Sequence, residues 1–156
     1  MKFKKFVKSL ASTGMIYRYG SQEWLASPTV YMAIPDGTRS VTATGVEMMP
    51  SAIGSMIDQI GNTQPATLTK AIMPYPDGAI KDCLRQFTTP GGEFSMLITN
   101  DDWSLIEKSD FCEILYAYDM DEDQMEVKAL LVKRYPAMPD DDDELVGIIF
   151  PVDNEF

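Results

Sequence analysis

The stretch that most constrains the fold of this chain runs from Phe111 to Tyr135. Its two halves, FCEILYAY and MEVKALLVKRY, are rich in Ile, Leu, Val and Tyr, and they flank a polar insert from Asp119 to Gln124. Apolar residues that recur with period two on both sides of a polar turn are typical of an antiparallel hairpin. We therefore expect this hairpin at the centre of a sheet, with its acidic tip in water.

The remaining patterns predict one α+β domain over residues 1–156, with a mainly antiparallel sheet of about seven or eight strands and three or four short helices. A hydrophobic content of 45% in 156 residues argues against disorder, despite the high charge. Besides the hairpin, we expect strands at 15–19, 24–34, 40–49, 68–73, 93–99 and 145–150. Apolar spacing predicts helices at 2–11, near 53–60, near 80–87 and near 100–106.

Turn-forming residues set several of the expected boundaries. Pro28 interrupts the run 24–34, which suits an edge strand or a bulge. Ser51 is the expected cap of the second helix, and Asn100 or Asp101 that of the fourth. We expect turns at 35–38 and 74–78, a bulge at Gly45 and a loop over 62–66. The last strand is apolar enough to be covered on both faces.

The charge of the chain is strongly negative and unevenly distributed. The formal net charge is -11. Residues 1–80 hold seven Lys and Arg against five Asp and Glu, whereas residues 81–156 hold six against nineteen. An acidic half of this kind repels nucleic acid and anionic lipid, and it speeds association with a basic partner. The alternative explanation is that these charges only keep the protein soluble.

Two acidic segments are the candidate partner-binding sites, and each of them could instead be a solvated turn or loop. The first is the hairpin tip and the second precedes the last strand. The residues concerned are Asp119, Asp121, Glu122, Asp123, Glu126, Asp140, Asp141, Asp142, Asp143 and Glu144. Carboxylates in such a run can imitate the phosphate spacing that a nucleic-acid-binding protein recognises. Tyr118 and Tyr135 lie beside them, although strand tyrosines more often pack within a sheet.

The first helix carries the only concentration of positive charge. Lys2, Lys4, Lys5 and Lys8 alternate with Phe3, Phe6, Val7 and Leu10 at amphipathic spacing. This face is expected to be either a solvated surface above a packed helix or a basic patch that touches phosphate.

Most catalytic and cofactor-binding motifs are missing from the sequence. The chain has no histidine, and the two cysteines, Cys83 and Cys112, are too far apart for a CxxC motif. Neither GxxxxGK[ST] nor GxGxxG occurs. Asp119, Asp121 and Asp123 match the start of a calcium loop, but Gln124 and Leu130 stand where that loop needs Gly and Glu. We predict no enzyme activity, no cofactor and no metal site; a weak cation site at the tip and an Asp/Glu-based metal enzyme are the alternatives.

The sequence also predicts a cytoplasmic location. No apolar run approaches the roughly 20 residues of a membrane span. The basic start, MKFKKFVKSL, lacks the apolar segment and cleavage site of a signal peptide. Two cysteines suit a reducing compartment.

Two stretches resemble known proteins. The opening KFVKSLASTGMIYRYGSQEWLASPTVYMAIPDG looks like the start of small uncharacterised proteins encoded by bacterial prophages. The ending Ile148-Ile-Phe-Pro-Val152 is similar to the closing strand of bacterial DNA sliding clamps, which are acidic overall and line their ring with basic helices. The first resemblance implies a phage-encoded protein and carries no site residues. The second implies an oligomer in which Lys2, Lys4, Lys5 and Lys8 face DNA.

Together these observations predict a non-enzymatic acidic protein-binding module, phage-encoded, that binds or inhibits a basic, nucleic-acid-binding host protein by charge complementarity. In this interpretation the chain contacts neither nucleic acid nor membrane. The alternatives are an oligomeric, clamp-like accessory of DNA replication and a virion or assembly component, for which edge strands would offer pairing surfaces.

Overall fold

The computed structural model describes residues 1–74 and 83–152, and within these ranges the fold is α+β with three α-helices and ten β-strands. The helices are α1 (Phe3–Leu10), α2 (Ser51–Ile57) and α3 (Asn100–Trp103). The strands are β1 (Met15–Tyr19), β2 (Gln22–Ala26), β3 (Val30–Ala33), β4 (Val46–Met48), β5 (Asn62–Pro74), β6 (Cys83–Thr88), β7 (Ser95–Thr99), β8 (Asp110–Asp119), β9 (Gln124–Arg134) and β10 (Glu144–Ile149).

The predicted hairpin lies at the middle of the sheet. The strand order is β4-β1-β2-β3-β10-β9-β8-β5-β6-β7, and every pairing except β1 with β4 is antiparallel. Leu115 pairs with Ala129 and Tyr116 with Val127, so Lys128 is an extra residue on β9. An extra residue of this kind bends the strand and increases its twist. The α+β class and the central hairpin are both confirmed.

Both faces of the central strands are covered. On one face Ile114, Leu130 and Val132 join a core that includes Phe6 of α1 and Ile98 of β7. On the other face a smaller cluster contains Leu115, Ala129, Leu131 and Ile148. Ile53, Met56 and Ile57 of α2 pack against this second cluster. The expectation that the last strand is covered on both faces is therefore confirmed.

β5 passes from one part of the sheet to another. Its residues 62–66 pair with β8, and those from Thr67 to Pro74 pair with β6, with an irregularity between Leu68 and Ile72. The expectation of a loop over 62–66 was therefore wrong. Pro65 is compatible with the strand, because this part of β5 pairs with β8 only and a proline is tolerated where a strand has an unpaired side.

Two other corrections explain why ten strands are found instead of seven or eight. The run 24–34 is two strands, because Pro28 lies in the turn between β2 and β3, where the Ser27 hydroxyl accepts the Val30 N–H at 3.0 Å. Neither is an edge strand. The predicted helix near 80–87 is strand β6 over its described residues. β6 lies between two strands and is covered on both faces, so Leu84 on one face and Phe87 on the other are both buried. Because these two buried residues are three positions apart, their spacing resembles that of one face of a helix.

Several boundaries also differ. Only Val46–Met48 of the run 40–49 forms a strand, and it pairs in parallel with β1 from residue 46 onwards, so Gly45 precedes the strand and is not a bulge in it. Pro50 occupies the cap position of α2, and Thr99 caps α3 by accepting the Asp102 N–H at 3.1 Å. The turn at 35–38 is confirmed. Of the turn at 74–78, residues 75–78 lie outside the described residues, and Pro74 ends β5.

Gly61 is a position that only glycine should tolerate. Its φ is +128°, and a Cβ there would lie 3.1 Å from the backbone oxygen of Tyr116. We expect Gly61→Ala to lower the free energy of unfolding in urea by about 1–3 kcal/mol. Gly37 also has a positive φ, but nothing lies within 4 Å of a Cβ added there. Gly37→Ala therefore measures the cost of the backbone conformation alone, without a contact like that with Tyr116. Equal losses for the two variants would show that the contact with β8 is unimportant.

No helix in the described ranges is long and apolar enough to cross a lipid bilayer.

Candidate partner-binding site

The hairpin tip, residues 118–126, is a tight acidic turn built on one carboxylate. Asp119 ends β8 opposite Gln124, and its Oδ1 accepts the backbone N–H of Asp121 at 2.9 Å and of Glu122 at 3.4 Å. An aspartate that accepts backbone N–H groups two and three residues ahead stabilises a turn. Asp123 has a φ of +52°, a left-handed conformation that Asp adopts more readily than most residues. The turn thus holds its remaining carboxylates outward.

These hydrogen bonds lower the pKa of Asp119, with the Asp121 N–H contributing most. Because the folded pKa lies below the unfolded one, this contribution to the turn is present above the unfolded pKa and is lost as the pH falls through the folded pKa. We expect the carboxyl carbon of Asp119 to titrate in NMR spectra with a midpoint below the ordinary value of 3.8. The same carbon measured in concentrated urea provides the reference. A folded midpoint at or above that reference would contradict the turn geometry.

Most tip carboxylates remain available to a partner. Glu126 binds Lys128, with Oε2 and Nζ 2.7 Å apart. In the part of the chain that the structure describes, no other tip carboxylate lies within 4 Å of a lysine or arginine nitrogen. Asp121, Glu122 and Asp123 are exposed. The tip therefore presents negative charge that the protein itself leaves largely unneutralised.

Large apolar side chains stand exposed among these acids. Met120 is 85% exposed, Tyr118 51% and Met125 49%. Sequence reasoning missed the two methionines, because methionine usually packs in a core. The available signal was that Met120 lies within the polar turn and Met125 directly after it. The tip is consequently a mixed acidic and apolar surface.

The acidic loop, residues 135–144, has a similar mixture. Asp140, Asp141, Asp142 and Asp143 are exposed, and so are Met138 (63%) and Tyr135 (65%). The Tyr135 ring stacks on Phe111 with centroids 4.3 Å apart. Glu144 is paired with Arg134. As expected, the acidic segment before the last strand is exposed to solvent.

The structure places the two acidic segments at opposite ends of β9. The tip precedes this strand of 11 residues and the acidic loop follows it. At a rise of about 3.3 Å per residue, the segments are roughly 30 Å apart, well beyond a Debye length of about 8 Å. The ten predicted residues therefore form two separate surfaces.

The predicted basic face lies near the acidic loop. Lys2, at the cap position before α1, and Lys4, Lys5 and Lys8 on the helix are exposed, while Phe6 is buried. Met1 and Phe3 line a cavity of about 290 Å³ together with Arg134 and Glu144. The start of α1 is thus close to the base of the acidic loop. The tip lies at the other end of β9, farther from the positive charge at the start of α1, and it is therefore the stronger candidate for binding a cationic surface.

The described ranges, 1–74 and 83–152, contain no group of three or more Cys, Asp or Glu side chains arranged to hold a metal ion. Asp119 instead directs one oxygen at backbone N–H groups. Asp121, Glu122 and Asp123 are exposed to solvent, so the geometry favours contact with an extended surface over chelation of one ion.

No protein family, curated protein or solved structure matches this chain. The resemblances to prophage proteins and to sliding clamps therefore stay predictions.

Proposed function

We propose that this chain is a non-enzymatic acidic protein-binding module, phage-encoded and acting in the bacterial cytoplasm, that binds or inhibits a basic, nucleic-acid-binding host protein. One observation carries the proposal. At the hairpin tip, Met120 is 85% exposed and is followed by three exposed carboxylates, Asp121, Glu122 and Asp123, which form no ion pair with the described residues.

The exposed apolar side chains favour binding over solubility alone. Carboxylates increase solubility without any methionine or tyrosine beside them. Methionine and tyrosine are enriched in protein–protein interfaces, and contiguous exposed apolar surface commonly marks an interaction site. Tyr118, Met120 and Met125 supply such surface within the acidic tip.

The charge explains the class of partner. A protein that binds nucleic acid presents lysines and arginines that neutralise phosphates, and its affinity falls steeply with salt. The tip carboxylates offer those same side chains an alternative set of anions. A complex formed in this way competes with nucleic acid and weakens as salt rises.

The proposal is tested by capturing partners from bacterial lysate with charge variants. The tip variant combines Asp121→Asn, Glu122→Gln and Asp123→Asn, which keeps Asp119 and leaves a residue tolerant of positive φ at 123. A control variant combines Asp36→Asn, Glu47→Gln and Glu93→Gln, which removes three exposed charges elsewhere.

We expect the native chain and the control variant to capture the same basic protein in low salt and to release it in high salt, whereas the tip variant captures much less. Added duplex DNA should compete. Equal recovery by the tip and control variants, or recovery that does not change with salt, would contradict the proposal.

A second candidate function is an oligomeric, clamp-like accessory of DNA replication, which the four exposed lysines of α1 favour. In that case Lys2, Lys4, Lys5 and Lys8 line a DNA-binding surface. Light scattering with and without duplex DNA distinguishes the candidates. An oligomer that binds DNA supports the clamp-like function, and a monomer that ignores DNA removes it.

A further inference from the structure

A cavity of about 500 Å³ opens beside α1. It is lined by this helix, by the turn between β2 and β3 and by residues in and just after α3. Its volume lies within the usual range for small-molecule sites. Backbone hydrogen bonds hold these walls in place: the Lys2 N–H donates to the Leu105 oxygen at 2.7 Å, and the Phe150 N–H donates to the Thr29 oxygen at 2.9 Å. A ligand would therefore meet a largely preformed site.

Part of the cavity is apolar. Phe6 and Leu105, both buried, and Leu10, which is half-buried, contribute to its lining. All three also pack in or against the main core of the protein. An apolar ligand group that contacts them is removed from water, and this favours binding.

A carboxylate that lacks a cationic partner belongs to the same cavity. Asp102 is half-buried, and burial is the main cause that raises the pKa of its carboxyl above the ordinary value. Within the described residues no lysine, arginine or terminal nitrogen lies within 4 Å of it. An ammonium group supplied by a ligand would offset part of the free energy that burial costs this charge.

An ammonium group without a carboxylate partner lies at the cavity as well. The Lys5 Nζ donates to the Ser104 hydroxyl at 2.9 Å, and that hydroxyl donates to the backbone oxygen of Asp101 at 2.6 Å. In the part of the chain that the structure describes, no carboxylate lies within 4 Å of this nitrogen. A lysine ammonium has three donors, so Lys5 can also bind an anion.

Charges of both signs in one cavity favour a ligand that itself carries both. A simple anion would approach Lys5 but would also meet the carboxylates of Asp101 and Asp102, whereas a simple cation would meet the Lys5 ammonium. A molecule with an ammonium and a carboxylate on neighbouring atoms can pair with both. The apolar part of the lining then favours an apolar group on that molecule.

We infer that this cavity, between α1, α3 and the β2–β3 turn, binds a free α-amino acid with an apolar side chain. The ammonium of the ligand pairs with Asp102 and its carboxylate with Lys5, while its side chain contacts the apolar residues of the lining. This site is independent of the proposed function, because the hairpin tip contributes no residue to it.

The test compares three probes that share one carbon skeleton. They are leucine, 4-methylpentanoate, which is leucine without its amino group, and 3-methylbutylamine, which is leucine without its carboxylate. Binding is followed in titrations through the backbone amide signals in ¹⁵N NMR spectra. Ser9, Thr29 and Ser104 line the cavity and report binding, whereas Asp121 and Glu122 at the hairpin tip serve as internal controls. Because the comparison uses the native chain, it does not depend on any variant folding correctly.

We expect leucine to shift the signals of the cavity residues and to leave those of the tip unchanged. Each of the other two probes should bind about tenfold more weakly or worse, as expected for the loss of one charged contact. No shift at the cavity residues, or equal affinity of leucine and either of the other probes, would overturn the inference.

A pair of lysine variants tests the role of Lys5. Lys5→Met should weaken the binding of leucine about tenfold but should leave the weaker binding of 3-methylbutylamine unchanged, since that probe has no carboxylate. Lys8→Met, on the same helix but outside the cavity, should affect neither probe. Equal losses of leucine binding in the two variants would contradict a direct contact with Lys5 and would overturn the inference.

Discussion

Replacing Lys133 with methionine should be among the most destabilising single changes in this protein. Lys133 is buried on β9, where its Nζ lies 2.9 Å from Oε2 of Glu113 and 2.8 Å from Oε1 of Gln59. The variant leaves the Glu113 carboxylate, only 17% exposed, without its cation. We expect a loss of about 3 kcal/mol in the free energy of unfolding, the lower end of the range for a broken buried pair.

The matched control removes both charges. Lys133→Met combined with Glu113→Leu eliminates the stranded carboxylate, and Gln59 is only half-buried, so water can replace its lost contact. Replacement of a buried ion pair by apolar residues is often neutral or stabilising. We therefore expect the double variant to recover most of the stability in urea titrations. A double variant as unstable as the single one would show that the pair contributes specific packing that methionine and leucine cannot supply.

The second large effect is expected from Leu130→Ala. Leu130 is fully buried in the main core on β9, and truncating it removes apolar contacts and leaves a cavity. The free energy of unfolding should fall by about 2–5 kcal/mol. Met120→Ala in the same hairpin provides the comparison, because that side chain is 85% exposed and its removal should change stability by less than about 0.5 kcal/mol. Similar losses at the two positions would contradict the central placement of the hairpin.

The hairpin was predictable because its strands keep period two on either side of a polar turn, and that local pattern survives in the fold. The β2–β3 hairpin was not recognised, since Ser27-Pro28-Thr29 resembles a break in one strand as much as a turn between two. β6 was mistaken for a helix because its buried residues, Leu84 and Phe87, lie three positions apart. Burial on both faces of a strand cannot be read from spacing alone.

The candidate site was predictable in part. Exposure of the acids follows from their number and from their places in turns, and eight of the ten are exposed; the exceptions are Asp119 and Glu126, which are half-buried. Their separation was available from the predicted strands, because a hairpin tip and the loop after the second strand lie at opposite ends. The apolar character of the tip was not evident, and neither was the buried charge of Lys133, although it shares a strand face with Ala129 and Leu131.

The central claim is that the hairpin tip faces a cationic protein partner. A photo-crosslinking amino acid placed at position 120 in bacterial cells tests this most directly. Position 48 is the control, since Met48 on β4 is 77% exposed and lies outside both acidic segments. We predict an adduct with a basic, nucleic-acid-binding protein from position 120 and none from position 48. The absence of any adduct at 120, or the same adducts from both positions, would contradict the account.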